Sequence, residues 1–433
     1  MKKRNTAAYA LITAIILTLS ATGCAKNDTA QGQSVSSGET PSLAVQSGSD
    51  ADVPDISSDD ASTDTKDIFT ERDLKQTAEE NGATALTAAN NETLTIDSEG
   101  VYVFSGSASN CTLRVDAGKE AKVQIVLKGT DITNDNFPCI YVVSAKKVFI
   151  TTGENTENDL KVSGEFISDG DTNTDAVIFA KDDITLNGLG VLNINSAKGN
   201  GITGKDDVKF TGGTYSIITD GNGIEAKDSL SICDGTYNIT SAKSAIRCKD
   251  KDDTSKGSAY FSGGNFVISA GNNGIQAVTD ITVDGGSFDI SSSEGIESTV
   301  YAQNGGNVTI KASDDGINAS DKSSAFTPRV TINGGILNIT MGAGDTDAID
   351  VNGSLYINGG EVNITAQFAF DFDNEAVLSG GKVTVNGEEV TEIVNSMSPN
   401  GFRGGPGAPD GGDFPAPPEF PDGTGFPAPP ENN

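Results

Sequence analysis

Gly212-Gly213-Thr214-Tyr215-Ser216-Ile217 returns with small changes as Gly263-Gly264-Asn265-Phe266-Val267-Ile268, Gly285-Gly286-Ser287-Phe288-Asp289-Ile290 and Gly359-Gly360-Glu361-Val362-Asn363-Ile364. Each copy has two turn residues, a variable residue, a large apolar one, another variable residue, and Ile or Val. The last position gives the markers Ile194, Ile217, Ile239, Ile268, Ile290, Ile310, Ile339, Ile364 and Val385, separated by 23, 22, 29, 22, 20, 29, 25 and 21 residues. A period of this size marks a stacked repeat.

Within each copy the apolar residues alternate with polar ones, as in Phe210, Tyr215 and Ile217 or Val283, Phe288 and Ile290. Period two is the strand period, and helical spacing is absent. Behind each marker comes a segment such as Asn222-Gly223-Ile224-Glu225-Ala226, Asn273-Gly274-Ile275-Gln276-Ala277 or Asp315-Gly316-Ile317-Asn318-Ala319. Three short strands between Gly, Asn and Asp turns fill about 22 residues, which predicts one rung of a parallel β-helix per copy. The expected fold is all-β, a right-handed parallel β-helix with 20 to 29 residues per rung. Leucine-rich repeats of similar length need a Leu frame that these copies lack.

Composition agrees with a narrow, layered core. The 433 residues include 51 Gly, 6% aromatics, no Trp and no His. Without His, a Ser-His-Asp triad, a Cys-His dyad and a His-bound zinc site are all excluded. The formal charge is −32, from 61 acidic against 29 basic residues, which disfavours nucleic acid as a partner.

Residues 1–23 read as an export leader: Lys2, Lys3 and Arg4, an apolar run from Ala7 to Leu19, then Ala21-Thr22-Gly23 before Cys24. The apolar run is too short for a spanning helix of about 20 residues. Residues 24–66, rich in Ser, Thr, Asp and Gly, predict a disordered tether. Residues 67–93 predict an N-terminal cap over the first rung, with a helix from Glu71 to Glu80 opened by Thr70 and Asp73. Residues 94–390 carry the β-helix, and residues 391–433 a Pro/Gly-rich disordered tail in which Phe414-Pro415-Ala416-Pro417-Pro418-Glu419 recurs as Phe426-Pro427-Ala428-Pro429-Pro430-Glu431.

Leu19-Ser20-Ala21-Thr22-Gly23-Cys24 resembles the bacterial lipobox, with Ala21 where that pattern prefers Leu. The resemblance implies diacylglyceryl attachment at Cys24 and a chain anchored on the extracytoplasmic face of the membrane; an ordinary cleaved secretory leader is the other reading. The segment Lys205-Asp206-Asp207-Val208-Lys209-Phe210-Thr211-Gly212-Gly213-Thr214-Tyr215-Ser216-Ile217, repeated with the x-Gly-Ile-x-Ala segments, resembles the bacterial carbohydrate-binding β-helix family. That family is similar to pectate lyases in fold. The resemblance implies a non-catalytic surface binder of cellulose or of acidic polysaccharide such as polygalacturonate, with calcium in the structure.

Stacked rungs lie about 4.8 Å apart, so equivalent positions form columns. Two residues before the Ile of x-Gly-Ile the column reads Asn200, Asn222, Ser244, Asn273, Glu294, Asp315 and Asp347; one residue after it, Thr203, Glu225, Arg247, Gln276, Glu297, Asn318 and Asp350. Asp371 and Asp373 continue the pattern. Crowded carboxylates repel, and calcium takes about six to eight hard oxygen ligands. Candidate Ca²⁺ ligands are therefore Glu294, Glu297, Asp315, Asn318, Asp347, Asp350, Asp371 and Asp373; the competing reading is a hydrated acidic face that sets solubility. With amides in the early columns, where the family carries Asp, the metal expectation is confined to the C-terminal half.

A calcium-dependent lyase and a structural spacer or adhesin are the alternatives. A lyase needs a base, and Lys311, Lys322 and Arg247 are the candidates. Tyr215, Tyr237, Phe266 and Phe288 share parity with the marker Ile residues and predict an internal aromatic stack. Tyr301, Phe326, Phe368 and Phe370 are the expected exposed aromatics for sugar contact. Cys233 is expected in a turn and Cys248 inside, while a Cys111–Cys139 disulfide remains open.

Overall fold

The computed structural model describes residues 68–342 and 346–396. The leader, Cys24, the tether 24–66 and the tail from residue 397 lie outside the described residues. All secondary-structure elements are strands, 32 of them, and no helical element is present among the described residues.

Local alternation produces a simple topology in which, from Ser229–Ser241 to Glu361–Thr365, each strand pairs in parallel with the strand three positions later in the chain. Three ladders result. The first carries the marker Ile residues and runs through Val191–Ser196, Asn265–Ala270, Ser287–Ser292, Asn307–Ala312, Ile336–Met341, Glu361–Thr365 and Lys382–Val385. Its register aligns Ile239, Ile268, Ile290, Ile310, Ile339, Ile364 and Val385. The second ladder holds the x-Gly-Ile strands, including Asn273–Ala277, Glu294–Ser298, Ile317–Ala319, Asp347–Val351 and Phe368–Phe372. The third contains Ile184–Gly188, Ser258–Phe261, Asp280–Val283, Val300–Gln303, Arg329–Ile332 and Ser354–Ile357. The one antiparallel strand pair among the described residues, Lys382–Val385 with Glu388–Val390, comes at the end of the series.

Tyr141, Ala176 and Phe179 form a small separate cluster, while the main core is a column of apolar side chains. Tyr215, Tyr237, Phe266 and Phe288 stack inside it with centroid spacings of 5.2, 4.5 and 4.5 Å and interplanar angles of 11°, 7° and 2°. Phe210 and Phe261 meet the stack edge-on. Aliphatic residues then take over the position, from Val308 through Leu337 and Val362 to Val383. The turn glycines have a steric cause: Gly235 sits at φ 122°, and a Cβ there would lie 2.6 Å from the Tyr237 hydroxyl.

The stack begins earlier than residue 94. Thr84–Thr87 already pairs with Tyr102–Ser105. Thr112–Asn134 is one 23-residue strand whose register against Ile140–Thr152 shifts three times as it turns between ladders.

The helix expected from Glu71 to Glu80 is not formed. Thr70 and Asp73 do make the reciprocal bonds of a capping box: Thr70 N–H donates to Asp73 Oδ2 at 2.9 Å, and Asp73 N–H donates to Thr70 Oγ1 at 3.2 Å. The turn then stops, because the carbonyls a helix would use internally are taken by the stack. Asn187 Nδ2 donates to the Asp73 carbonyl at 3.0 Å and to the Lys75 carbonyl at 3.2 Å. Gln76 donates to the Thr211 carbonyl at 2.6 Å and accepts from Gly188 N–H at 2.9 Å. The segment expected over the first rung thus lies, at residues 68–76, along the outer face of the third ladder, held by Asp73, which pairs with Lys147 at 2.6 Å and accepts from Thr185 at 2.7 Å.

All four described cysteines are free thiols, so Cys111 and Cys139, both buried, are not bridged. Cys248 is buried and Cys233 is not.

Candidate functional site

The eight candidate ligands come together along the outer side of the second ladder. Its register pairs Gln276 with Glu297, Glu297 with Asn318, Asn318 with Asp350 and Asp350 with Asp371. The neighbouring column pairs Asn273 with Glu294. It continues through Asp315 and Asp347, whose carbonyls accept from Gly295 N–H at 2.8 Å and Gly316 N–H at 3.0 Å. Asp373 follows at the next bend, its N–H on the Val351 carbonyl at 3.2 Å. The intervening glycines allow this crowding: a Cβ on Gly316 would lie 2.5 Å from the Ala348 carbonyl oxygen.

Amides from tiers on either side donate into the acids. Asn273 Nδ2 reaches Glu297 Oε2 at 2.8 Å and also bonds Glu294, while Gln276 bonds Glu297. Asn318 Nδ2 donates to Glu294 Oε1 at 3.1 Å and to Asp315 Oδ2 at 3.1 Å. Asn395, from the C-terminal return, donates to Asp371 Oδ1 at 3.0 Å. In the N-terminal tiers the same columns bond to one another, with Asn222 N–H on Asn200 Oδ1 at 2.8 Å and Ser244 N–H on Asn222 Oδ1 at 3.2 Å.

Electrostatics in the late tiers are strained. Burial, then Glu297 and Asp315, push the Glu294 carboxyl up to about 7. Burial, then Asp315, Asp371 and Asp373, push Asp350 up to about 6. Burial also raises Asp315. One hard acceptor is left over: Asn318 Oδ1 is buried without a hydrogen-bond partner. Among the described residues, no three or more Asp, Glu, Cys or His side chains stand close enough together to hold a metal ion as they are placed.

Of the three candidate bases, only Lys322 stands within the acidic ladder. Lys322 pairs with Glu297, which is 6% exposed. Arg247 bonds Glu225 Oε2 at 3.3 Å and Gln276 Oε1 at 3.2 Å. Lys311 belongs to the first ladder, where its nearest acid is Asp289 at 4.0 Å.

Three of the four expected surface aromatics are corrected. Tyr301 is 0% exposed because it shares the inward column of Ile281 and Val330. Phe370, 3% exposed, faces inward beside Ile349. Phe368, 7% exposed, lies where the C-terminal return crosses, with Ser396 Oγ accepting from Ala369 and Phe370 N–H. Phe326, 46% exposed, sits in the connection between Ala319 and Arg329. Sequence reasoning missed Asn395 and two partly exposed tyrosines, Tyr260 and Tyr356. The signal for the tyrosines was parity, since each lies one residue from inward-facing neighbours.

A family model described as "Carbohydrate-binding domain-containing protein" matches residues 90–345 and 300–406. A protein of the same description from Acetivibrio thermocellus is 31% identical over 211 residues, covering 48% of this chain and 63% of that one. The chain therefore spans less than two thirds of this relative's length. A solved structure of a polysaccharide lyase-like protein from C. thermocellum aligns over 71% of this chain and 95% of its own, at 22% identity and a TM-score of 0.32.

Proposed function

From the premise that the chain belongs to the family of carbohydrate-binding domain-containing proteins, we propose that it is a non-catalytic polysaccharide binder that works outside the cytoplasm, tethered by lipid at Cys24. The three parallel ladders support reading its core as a right-handed parallel β-helix. Its ligand is a uronate polymer or cellulose, and the acidic ladder is a calcium-dependent site for the uronate.

The observation that carries this reading is the buried, unpartnered Asn318 Oδ1 set among carboxylates whose protons are held too tightly for their type. Hard oxygens in this number suit calcium. Glu294, Glu297, Asp315, Asn318, Asp347, Asp350, Asp371 and Asp373, spread over four tiers, would supply the ligands of one or more such ions. Bound there, the cation supplies the positive charge by which an acidic protein attracts an acidic polymer. Asn273, Gln276 and Asn395 orient the carboxylates through their amide hydrogens. A lyase needs a free base beside the acids; Lys322 is there but is paired with Glu297, Arg247 is held by Glu225 and Gln276, and Lys311 belongs to another ladder, which favours binding.

Incubating the full chain with polygalacturonate and calcium tests the choice. Polymer retained with no rise in ultraviolet absorbance supports binding. Accumulation of unsaturated ends would establish a lyase instead.

A further inference from the structure

The outward column of the third ladder is covered by the chain's own segment in its N-terminal tiers, whereas Tyr260, Thr282, Ala302 and Tyr356 of its C-terminal tiers are partly exposed around a buried Thr331. In the covered part the chain's own segment 68–76 lies on the sheet. The Arg72 guanidinium sits 4.2 Å from the Phe149 ring centroid, Thr185 donates to Asp73, and Lys209 donates to the Ile68 carbonyl at 2.6 Å. Phe149, Thr185 and Lys209 are register neighbours in one column. This face thus already holds one extended chain, by a flat group on an aromatic ring and hydrogen bonds from outward polar side chains.

The same column continues as Tyr260, Thr282, Ala302, Thr331 and Tyr356. We propose that this stretch is a second carbohydrate-binding surface, which takes an extended, uncharged glycan chain laid along the stack without a cation. The proposal rests on the carbohydrate-binding reading, not on the acidic ladder.

Each tyrosine is fixed as a platform: Tyr260 donates to Asp284 Oδ2 at 2.7 Å and Tyr356 to Glu375 Oε1 at 2.6 Å. Rings held this way lose little freedom on binding. They stand four strand steps apart, about 19 Å, with a floor of small side chains between them. Along the edge runs a ladder of exposed amides: Asn304 donates to Asp284 at 2.8 Å, Asn333 to Asn304 at 2.7 Å, and Asn358 to Asn333 at 2.9 Å. Ser379 closes the series on Asn358 at 2.8 Å.

Backbone groups of these strands are used by parallel neighbours on both sides, so a peptide cannot add to the face as a further strand. Recognition must come from side chains: flat apolar rings at intervals and a continuous row of amide and carboxylate groups. A pyranose chain offers the complementary surface, with C–H faces for the rings and hydroxyls for the row. Asp284 and Glu375 at the tyrosine hydroxyls and Asp280 in the adjoining column, which Arg329 shares, disfavour a polyanion and so select an uncharged chain.

Retention of the full chain on amorphous cellulose, with polygalacturonate as the charged comparison, tests the proposal. Tyr260→Ala and Tyr356→Ala are each expected to weaken cellulose retention about tenfold, Tyr260→Phe to keep most of it, and chelator to leave it unchanged. Ala302→Arg, which obstructs the floor and leaves both rings in place, is expected to lose retention with an unaltered melting temperature. Parent-like retention by the Ala and Arg variants, failure of the parent to hold cellulose, or loss of cellulose on chelation would each overturn it. Polygalacturonate retention that survives in these variants and disappears with chelator leaves the acidic-ladder reading intact, so the two can fail separately.

Discussion

Asn318 donates its side-chain amide to Glu294 Oε1 at 3.1 Å, across one tier of the second ladder, while its own carbonyl oxygen is buried with no partner. This amide serves two carboxylates, Glu294 and Asp315, and leaves one hard acceptor unused beside them. Calcium added to the chelated full chain is therefore expected to raise its melting temperature, by the equivalent of about 3 kcal/mol at a hundredfold excess over Kd. In Glu294→Gln and Asp350→Asn the shift should shrink or vanish. Differential scanning calorimetry with and without chelator reads both, and equal calcium shifts in parent and variants would contradict the assignment.

Asp73 supplies a separate pH dependence. Burial alone would raise its carboxyl, but Lys147, Thr185 and the Thr70 N–H outweigh that and hold it down to about 2. A depressed carboxyl adds stability that is fully present above the unfolded value near ~4 and is lost as pH falls toward 2. Lys147→Ala leaves the buried carboxylate unpaired and should cost about 3–5 kcal/mol at pH 7. Chemical denaturation at pH 7 and pH 3 measures both effects. A Lys147→Ala variant as stable as its parent would show that segment 68–76 is not held by this pair.

Asp206 should behave in the opposite sense. Burial, then Asp183, Asp228 and Asp207, push its carboxyl up to about 6. A raised carboxyl means the folded state binds more protons than the unfolded one between about pH 4 and 6, so this contribution weakens as pH rises through that window. Asp206→Asn removes the conflict and is expected to stabilise the protein at pH 7.5, with no gain at pH 4. Denaturation midpoints at the two pH values decide it.

The aromatic column gives a test of the core. Phe266 is stacked between Tyr237 and Phe288 and meets Phe261 edge-on. Phe266→Ala should destabilise by about 3–5 kcal/mol, and Phe266→Leu by considerably less. Urea unfolding measures the difference, and a near-neutral Phe266→Ala would place the ring outside the core.

The repeat period and the inward parity of Tyr215, Tyr237, Phe266 and Phe288 were legible because they depend on local spacing alone. The acids of the second ladder were placed for the same reason: once tiers align, Glu297, Asn318, Asp350 and Asp371 must share a column. Tyr301 was misjudged because it lies in the third strand of its tier, whose phase is set by a turn and not by the Gly-Gly signal. Phe368 was misjudged because the chain returns from residue 386 to cover it, a contact no spacing rule contains. The segment 68–76 failed as a helix for a tertiary reason, since Asn187 and Gln76 bind the turn to a face more than a hundred residues away in sequence.

Isothermal titration of oligogalacturonate into the full chain, first with calcium and then with chelator, tests the central claim most directly. Saturable binding in calcium that disappears with chelator, and that Glu294→Gln weakens, is the predicted result. Equal binding in both solutions, or none in calcium, would contradict it.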